Sequence, residues 1–308
     1  MKGQHRVGLL LALATAVISG LAVFVNGYGV RAVPDAAVYT TGKNAVSAIV
    51  LLALVGVLVA RGRAPLTRPV GVRQTLGLVV VGVVGGSVPF VLFFEGLSQE
   101  SSTNAAFLQK TLVLWVALLA VPLLHERLGW LQAAAVGLLL VGQAMAGGSV
   151  SAVVHMPFGG GEAMILGATL LWAIEVVVAR RLLGTLSSWT VGLSRMVLGS
   201  LLLVGWLALR GRIHLLAALD GRQWTWVLLT GVLLAVYVAT WFAALARAQA
   251  VDVTAVLVIG APITAVLAAL VQHVPLRPQL AGLALIALGG LLIVAPRLRS
   301  RRRPAAAA

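Results

Sequence analysis

Ten apolar runs follow one another along the 308 residues of this chain, at 7–26, 36–60, 74–98, 102–124 and 129–148, then at 162–181, 188–209, 223–246, 252–272 and 277–296. A helix rises about 1.5 Å per residue, so each run has the length needed to cross a hydrocarbon core about 30 Å thick. The pattern predicts an all-α integral membrane protein of ten transmembrane helices. Composition agrees, with 60% hydrophobic and only 10% charged residues, the latter well below the usage of soluble domains. Met1 to Arg6 followed by 7–25 has the charged and apolar regions of a signal peptide, but the apolar stretch is long and no small-residue cleavage pattern follows. It reads as the first spanning helix.

A Gly-rich, polar break divides the runs into five and five, giving a first unit at 1–148, a linker at 149–161, a second unit at 162–296 and a basic tail at 297–308. Connections are short, and none holds a soluble domain. The net charge of +15 raises the question of a nucleic-acid partner, which the positions of the basic residues answer. With an even number of spans both termini share one side, and that side receives fifteen Lys and Arg, from Lys2 and Arg6 to Arg301, Arg302 and Arg303. The other side receives five: Arg31, Arg210, Arg212, Arg222 and Arg277. This bias places both termini in the cytoplasm and the protein in the inner (cell) membrane, and it accounts for the charge without nucleic acid. The tail from Arg297 reads as an anchor at anionic membrane lipid.

The two halves also match in chain order. Ala14-Thr15 corresponds to Ala168-Thr169, Lys43 to Arg195, Arg61-Gly62-Arg63 to Arg210-Gly211-Arg212, Phe94-x-x-Leu97 to Phe242-x-x-Leu245, and Gln132 and Gly142 to Gln279 and Gly289. Because each unit has an odd number of spans, the second lies inverted relative to the first. Inverted repeats are a transporter architecture, with substrate held near the midplane between the units.

The stretch AAFLQKTLVLWVALLAVPLLHERLGWLQAAAVGLLLVG, from Ala105 to Gly142, combines a small-residue helix start, a Glu-Arg-Leu turn at Glu126, and a Gln followed by a Gly-spaced closing helix. The second copy, Ala250 to Gly289, keeps Pro262 in mid-helix and the Gln279-x-x-Gly282 spacing. The chain from about residue 7 to 296 thereby resembles the EamA branch of the drug/metabolite transporter superfamily. That resemblance implies ten helices, cytoplasmic termini, and export or exchange of small metabolites, often coupled to an ion gradient. There are two departures: the proline such proteins often carry in helix four is Trp115 here, and the Glu of the Glu-Arg-Leu turn is His273 in the second half. The first is expected to alter how helix four bends.

Charges inside the hydrocarbon are costly and mark functional positions by default. Five are expected there. Lys43, Glu95 and Lys110 fall in the outer half of their helices, and Glu175 and Arg195 in the inner half. Two readings stand side by side. In one, Glu175 with Arg195 and Glu95 with a lysine are neutralising pairs that fix packing. In the other, the outer cluster leaves a spare cation for a substrate carboxylate or phosphate, while Glu95 or Glu175 carries a coupling proton. Lys110 is the first choice, with Asn104 and Thr111 nearby on its helix and Gln109 pointing elsewhere at helical spacing. Trp115, Tyr237 and Trp241 are placed to line a cavity, with Trp172 inside a span as well. Asn26, Tyr39, Asn44 and Ser87 add hydrogen-bonding groups to a polar path.

The five His residues lie at ends or in loops without a carboxylate at ligand spacing, so no metal is expected. No Gly-Lys-Ser/Thr phosphate loop occurs, so no nucleotide and no other cofactor is expected, and no enzyme signal stands. The chain is expected to be a secondary, gradient-driven transporter, an exporter of small polar metabolites such as amino acids, or of drugs, by alternating access. A membrane enzyme or flippase handling a lipid-linked phosphate is the alternative, which a lateral opening near Lys110 would favour.

Overall fold

Without water to satisfy the backbone, runs of Leu, Val and Ala close their hydrogen bonds as helices, and the polar residues between them set the ends. The computed structural model describes residues 2–63, 66–126, 129–146, 159–273, 275 and 280–299, and among these it contains helices and turns but no strand. In chain order the long helices are α1 (Lys2–Ala32), α2 (Ala36–Ala60), α3 (Gly71–Gln99), α4 (Ser102–Leu124), α5 (Trp130–Ala146), α6 (Gly160–Leu182), α7 (Ser188–Leu209), α8 (Gly221–Leu245), α9 (Ala250–Gln272) and α10 (Leu280–Arg299), with a single helical turn at His214–Ala217 between α7 and α8. Eight of these, α1–α4 and α6–α9, are long and apolar enough to cross a membrane. By length and composition α5, with 17 residues, and the Leu280–Gly290 stretch of α10 fall short of that measure. Residues 147–158, which include most of the linker and His155, together with Arg127, Arg277, Gln279 and the tail from Ser300, lie outside the described residues.

Local chemistry accounts for the helix ends. Asp35 accepts from the amides of Ala37 and Val38 at the start of α2, Ser101 from Asn104 in α4, Ser187 from Thr190 in α7, and Asp220 from Gln223 in α8. The two Arg-Gly-Arg matches are paired C-terminal stops. Gly62 and Gly211 adopt φ of +65° and +67°, and the following Arg63 and Arg212 amides return to Leu58 O and Leu207 O at 2.8 and 3.0 Å.

Packing carries the two-fold relation. α1 lies on α8 as α6 lies on α3; α1 meets α9 as α6 meets α4; α2 meets α8 as α7 meets α3; and α2–α7 and α5–α10 are their own counterparts. Exchanging the halves maps each pairing onto another, as two inverted repeats require. Glycines bring α3 and α7 close together. A Cβ on Gly82 would sit 2.7 Å from Leu198 Cβ, and one on Gly86 would collide with the Arg195 carbonyl oxygen. The Gly82-x-x-x-Gly86 spacing is therefore a packing device, and α3 widens into a π-turn at Val81–Gly85 beside it.

α4 and α9 are both broken. α4 stops at Lys110 and restarts at Leu112; α9 stops at Leu257 and restarts at Gly260. In α9 the restart precedes Pro262, whereas in α4 the hydroxyl of Thr111 bonds to Leu108 O at 2.7 Å across the break. Trp115 does not abolish the break that proline makes in the other half. Both helices then end on a histidine in left-handed conformation, His125 at φ 55° and His273 at φ 56°. This register corrects the sequence alignment. His273 is the counterpart of His125, not of Glu126, and Pro262 falls opposite Leu114, one residue before Trp115.

Candidate functional site

A cavity of about 60 Å³ lies where the repeats meet, walled by α1, α2, α3 and α4 from the first and α6, α7 and α8 from the second. Its polar groups come mainly from Ser19, Asn26, Lys43, Gln109, Arg195 and Thr230, and its apolar wall from Phe90, Phe93, Phe94, Trp172, Leu234 and Tyr237. The Trp172 indole is fixed by donating to Gly85 O at 3.1 Å, a carbonyl within the π-turn of α3.

Lys43 is 2% exposed. Its ammonium donates to Asn26 Oδ1 at 3.3 Å and stands 3.7 Å from the centroid of Phe94 and 5.3 Å from that of Phe90. Asn26 Oδ1 also lies 2.7 Å from the Tyr39 hydroxyl, which is itself 2.9 Å from Thr230 Oγ1, so one carbonyl oxygen ties Lys43 into a chain that crosses from α1 and α2 to α8. No carboxylate lies within ion-pair distance of Lys43 among the described residues. Arg195, 3% exposed, sits across the cavity, its guanidinium carbon 5.4 Å from the Phe90 centroid and 5.9 Å from that of Phe242. The repeat is visible here: in each half the cation of the second helix lies over the Phe of the third.

Arg195 Nε approaches Glu175 Oε1 to 3.0 Å, so the expected Glu175–Arg195 pair is formed. Its angles do not make a hydrogen bond, and Arg195 Nε and Nη1 are left without hydrogen-bond partners among the described residues. The attraction is chiefly that of opposite charges in a dry site, with the Arg195 donors still to be satisfied. The expected division into an outer and an inner cluster does not hold. Lys43 and Arg195 each lie about 10 Å from the first residue of their helix; because the repeats are inverted those starts lie at opposite ends of the bundle, and long side chains close the remaining gap so that both meet Phe90.

The other sequence candidates divide. Lys110, 1% exposed, donates to Ser19 Oγ at 2.7 Å and to Gln109 Oε1 at 2.9 Å, and its Cε packs against Gly260 at the break in α9. It stands one layer behind the wall, for Ser19 and Gln109 line the cavity and Lys110 does not. Gln109 therefore does not point elsewhere: it lines the cavity, and its side-chain oxygen accepts from Lys110. Tyr237 lines the cavity and stacks on Trp241 at 5.9 Å between centroids, so Trp241 supports rather than lines it. Trp115 packs against the core outside the cavity. Asn104 donates to Glu100 at 2.7 Å and Glu162 at 3.4 Å near the start of α4. Glu95 joins no lysine. It is half-buried near the end of α3, where the charges acting on it are those of Asp35 and Arg212. Asn44 is buried away from the cavity, bonding to Thr40 O, and Ser87 bonds to Val83 O.

At the end of the bundle where the chain begins, sequence reasoning missed Asp252 and saw Glu126 only as the acid of the Glu-Arg-Leu turn. Asp252 is 1% exposed in the first turn of α9, 3.4 Å from His5 Nε2; its place in a first turn reads as an ordinary helix start. Glu126 leaves the end of α4 to accept from the amides of Ala250 and Val251 at 2.8 and 3.2 Å, capping α9 of the other repeat, with Arg180 Nε 3.9 Å away. Burial holds its carboxyl above the usual 4.5; the two amides and Arg180 pull it back, and the Asp252 charge adds to the rise.

Two inverted repeats enclosing at their interface a cavity that carries buried cations within an aromatic wall, on helices built to span a bilayer, define a membrane transporter. The sequence profile of the EamA-like transporter family matches residues 6–147 and again 159–295. The chain belongs to that family, which lies within the drug/metabolite transporter superfamily. An uncharacterized transporter of Synechocystis sp. is 23% identical over 235 residues, covering 73% of this chain and 67% of the relative. A solved structure titled only "Crystal structure of protein" superposes with a TM-score of 0.70 at 17% identity, over 95% of this chain and 99% of its own, and shows the same fold.

Proposed function

We propose that this membrane transporter is a secondary, gradient-driven exporter of small polar metabolites that carry a carboxylate, working by alternating access across an inner membrane with both termini cytoplasmic. The observation that carries the reading is Lys43, a buried amine in the central cavity whose neighbours are an amide oxygen and two aromatic rings rather than a carboxylate. A buried ammonium without an anion is costly, and a substrate carboxylate is the partner that relieves it. The aromatic wall suits the apolar part of such a solute, with Tyr237 contacting it and Trp241 behind.

The cavity of about 60 Å³ holds only a few water molecules, each needing about 10–15 Å³, so a metabolite enters only when the repeats part. Of the two carboxylates considered for a coupling proton, Glu175 is the better placed, because its partner Arg195 lines the cavity. Glu95 stands away from it. The groove seen among the described residues between α3 and α7 lies away from Lys110 and no charged residue lines it, so it does not favour the flippase alternative.

The test is flux in proteoliposomes under an imposed proton gradient, with amino acids, other carboxylates, sugars and cationic drugs offered in turn. A charge-assisted hydrogen bond contributes about 1.5–3 kcal/mol, so Lys43→Ala is expected to raise KM for a carboxylate about ten- to hundredfold, with Lys43→Arg retaining most of the affinity. Absence of protein-dependent flux across the panel, or a KM for carboxylates indifferent to Lys43, refutes the reading.

A further inference from the structure

A second concavity lies between α3 and α7, on the face turned to the lipid. Val83, Val88, Val91 and Leu92 of α3 and Leu202, Leu203 and Trp206 of α7 enclose about 360 Å³; Ser87 is the one hydroxyl in the lining, and it already donates to Val83 O at 2.8 Å. The groove exists because α3 is broken here. Past the π-turn Val81–Gly85, Ser87 leaves helical geometry at φ −128° and ψ −77°, and Gly86 draws the backbone against Arg195 and Gly199 of α7. Contact is made at the glycines, and the larger side chains beyond them diverge.

Three features of this groove point to one kind of occupant. Its rims, Val88 and Leu202, are 46% and 45% exposed on helices built to span a membrane, so the open side faces hydrocarbon. From Val83 to Leu92 it runs about 14 Å at about 1.5 Å per residue, close to half of a hydrocarbon core about 30 Å thick, which is the depth of one leaflet. At the end of α7, Trp206 closes it at the level where aromatic residues meet head groups. The guanidinium carbon of Arg210 lies 5.3 Å from the Trp206 ring. Arg210 is exposed and forms no ion pair among the described residues.

We propose that this groove is a phospholipid site: one acyl chain lies along α3 from Val83 to Leu92 against Leu202 and Leu203, and the phosphate meets Arg210 beside Trp206. An apolar solute of the same size fills the groove but leaves the cation at its mouth unanswered. A phospholipid answers both, since its phosphate and its chain are joined at the distance that separates the interface from the leaflet interior. The back wall of the groove is the turn whose opposite side touches Glu175 and Arg195, so the bound chain supports the segment of α3 that borders the transport cavity.

The experiment uses the full chain in phosphatidylcholine vesicles containing a trace of phosphatidylglycerol with a photoactivatable group on one acyl chain, and the adducts are mapped by mass spectrometry. Adducts are expected to concentrate at 83–92 and 202–206. Leu202→Trp, which fills the groove from the lipid side, is expected to remove most of them. Leu228→Trp, on a comparably exposed face of α8 at 49%, leaves them in place and controls for folding. Arg210→Gln is expected to cut their yield several-fold. Adducts spread evenly over the lipid-facing surface, or a yield indifferent to Leu202→Trp, overturn the site. A yield indifferent to Arg210→Gln overturns the phosphate contact and with it a phospholipid as the occupant. Disulfide-linked dimers of Leu202→Cys in the membrane show instead that a second copy of the chain covers the groove.

Discussion

Replacing Glu126 perturbs the contact that joins the end of α4 to the start of α9 across the repeat boundary. Its carboxylate accepts from Ala250 and Val251 at 2.8 and 3.2 Å, and the side chain is only 9% exposed. Each charge-assisted bond contributes about 1.5–3 kcal/mol, and the partial exposure of Arg180 argues for the lower end. Glutamine keeps one carbonyl acceptor and loses one of the two bonds, about 1.5 kcal/mol. Alanine loses both, about 3 kcal/mol. If this contact closes the bundle on the side where the chain begins, those losses favour the open form about tenfold and about hundredfold. The chain has no cysteine, so a single Ser19→Cys on the cavity wall reports water access through its reaction with a membrane-impermeant maleimide. Labelling from the Glu126 side is expected to accelerate about tenfold in Glu126→Gln and about hundredfold in Glu126→Ala, with labelling from the other side slowed. Rates equal to those of the parent in a folded, monodisperse variant refute the reasoning, as does acceleration from both sides, which signals a loosened fold rather than an unlatched one.

Glu175→Gln leaves Arg195 buried without its anion, a loss of about 3–5 kcal/mol, read as a fall in the thermal midpoint; the double change with Arg195→Gln should recover much of it, and an unaltered midpoint in the single variant shows that the pair is not dry. Gly86→Ala drives a methyl into the Arg195 carbonyl and should cost about 1–3 kcal/mol as an overpacked contact, with α3 and α7 forced apart; wild-type stability means that the two helices separate without penalty. Lys110→Met keeps the length of a side chain that touches only neutral partners, Ser19 and Gln109, so the fold should persist and KM should change less than in Lys43→Ala. A larger effect at Lys110 than at Lys43 places the substrate on the wrong lysine.

Much of the architecture is legible in the residues alone. The bilayer leaves the backbone no option but helices of a set length, so the apolar runs locate α2, α4 and α7 at the ends the structure gives them and the rest to within a few residues apart from α1. α1 runs further at both ends because its flanking residues are helix-compatible and nothing in Gln4 to Arg6 stops it. The repeated Arg-Gly-Arg and the Lys43–Arg195 correspondence are readable because each encodes a local event, a left-handed stop or a charge on the second helix of its unit.

The site divides differently. Sequence alone determined that this chain crosses a membrane many times as two related units, and that a handful of charges sit where charge is costly, because both follow from length, periodicity and the absence of water. Only the tertiary structure decided which of those charges share a space. Lys43 and Arg195 are brought to one aromatic ring, Phe90, by the packing of α2, α3 and α7, while Glu95 and Asn104 are left near the helix ends. Lys110 is held behind Ser19 and Gln109 by a break in α4, and Glu126 is carried to amides more than a hundred residues away. Position along a helix gives the depth of a side chain but not the direction in which it points or the neighbour it meets. Those depend on how the helices of the two repeats pack side by side, which is settled by close contacts such as Gly86 on Gly199 rather than by hydropathy.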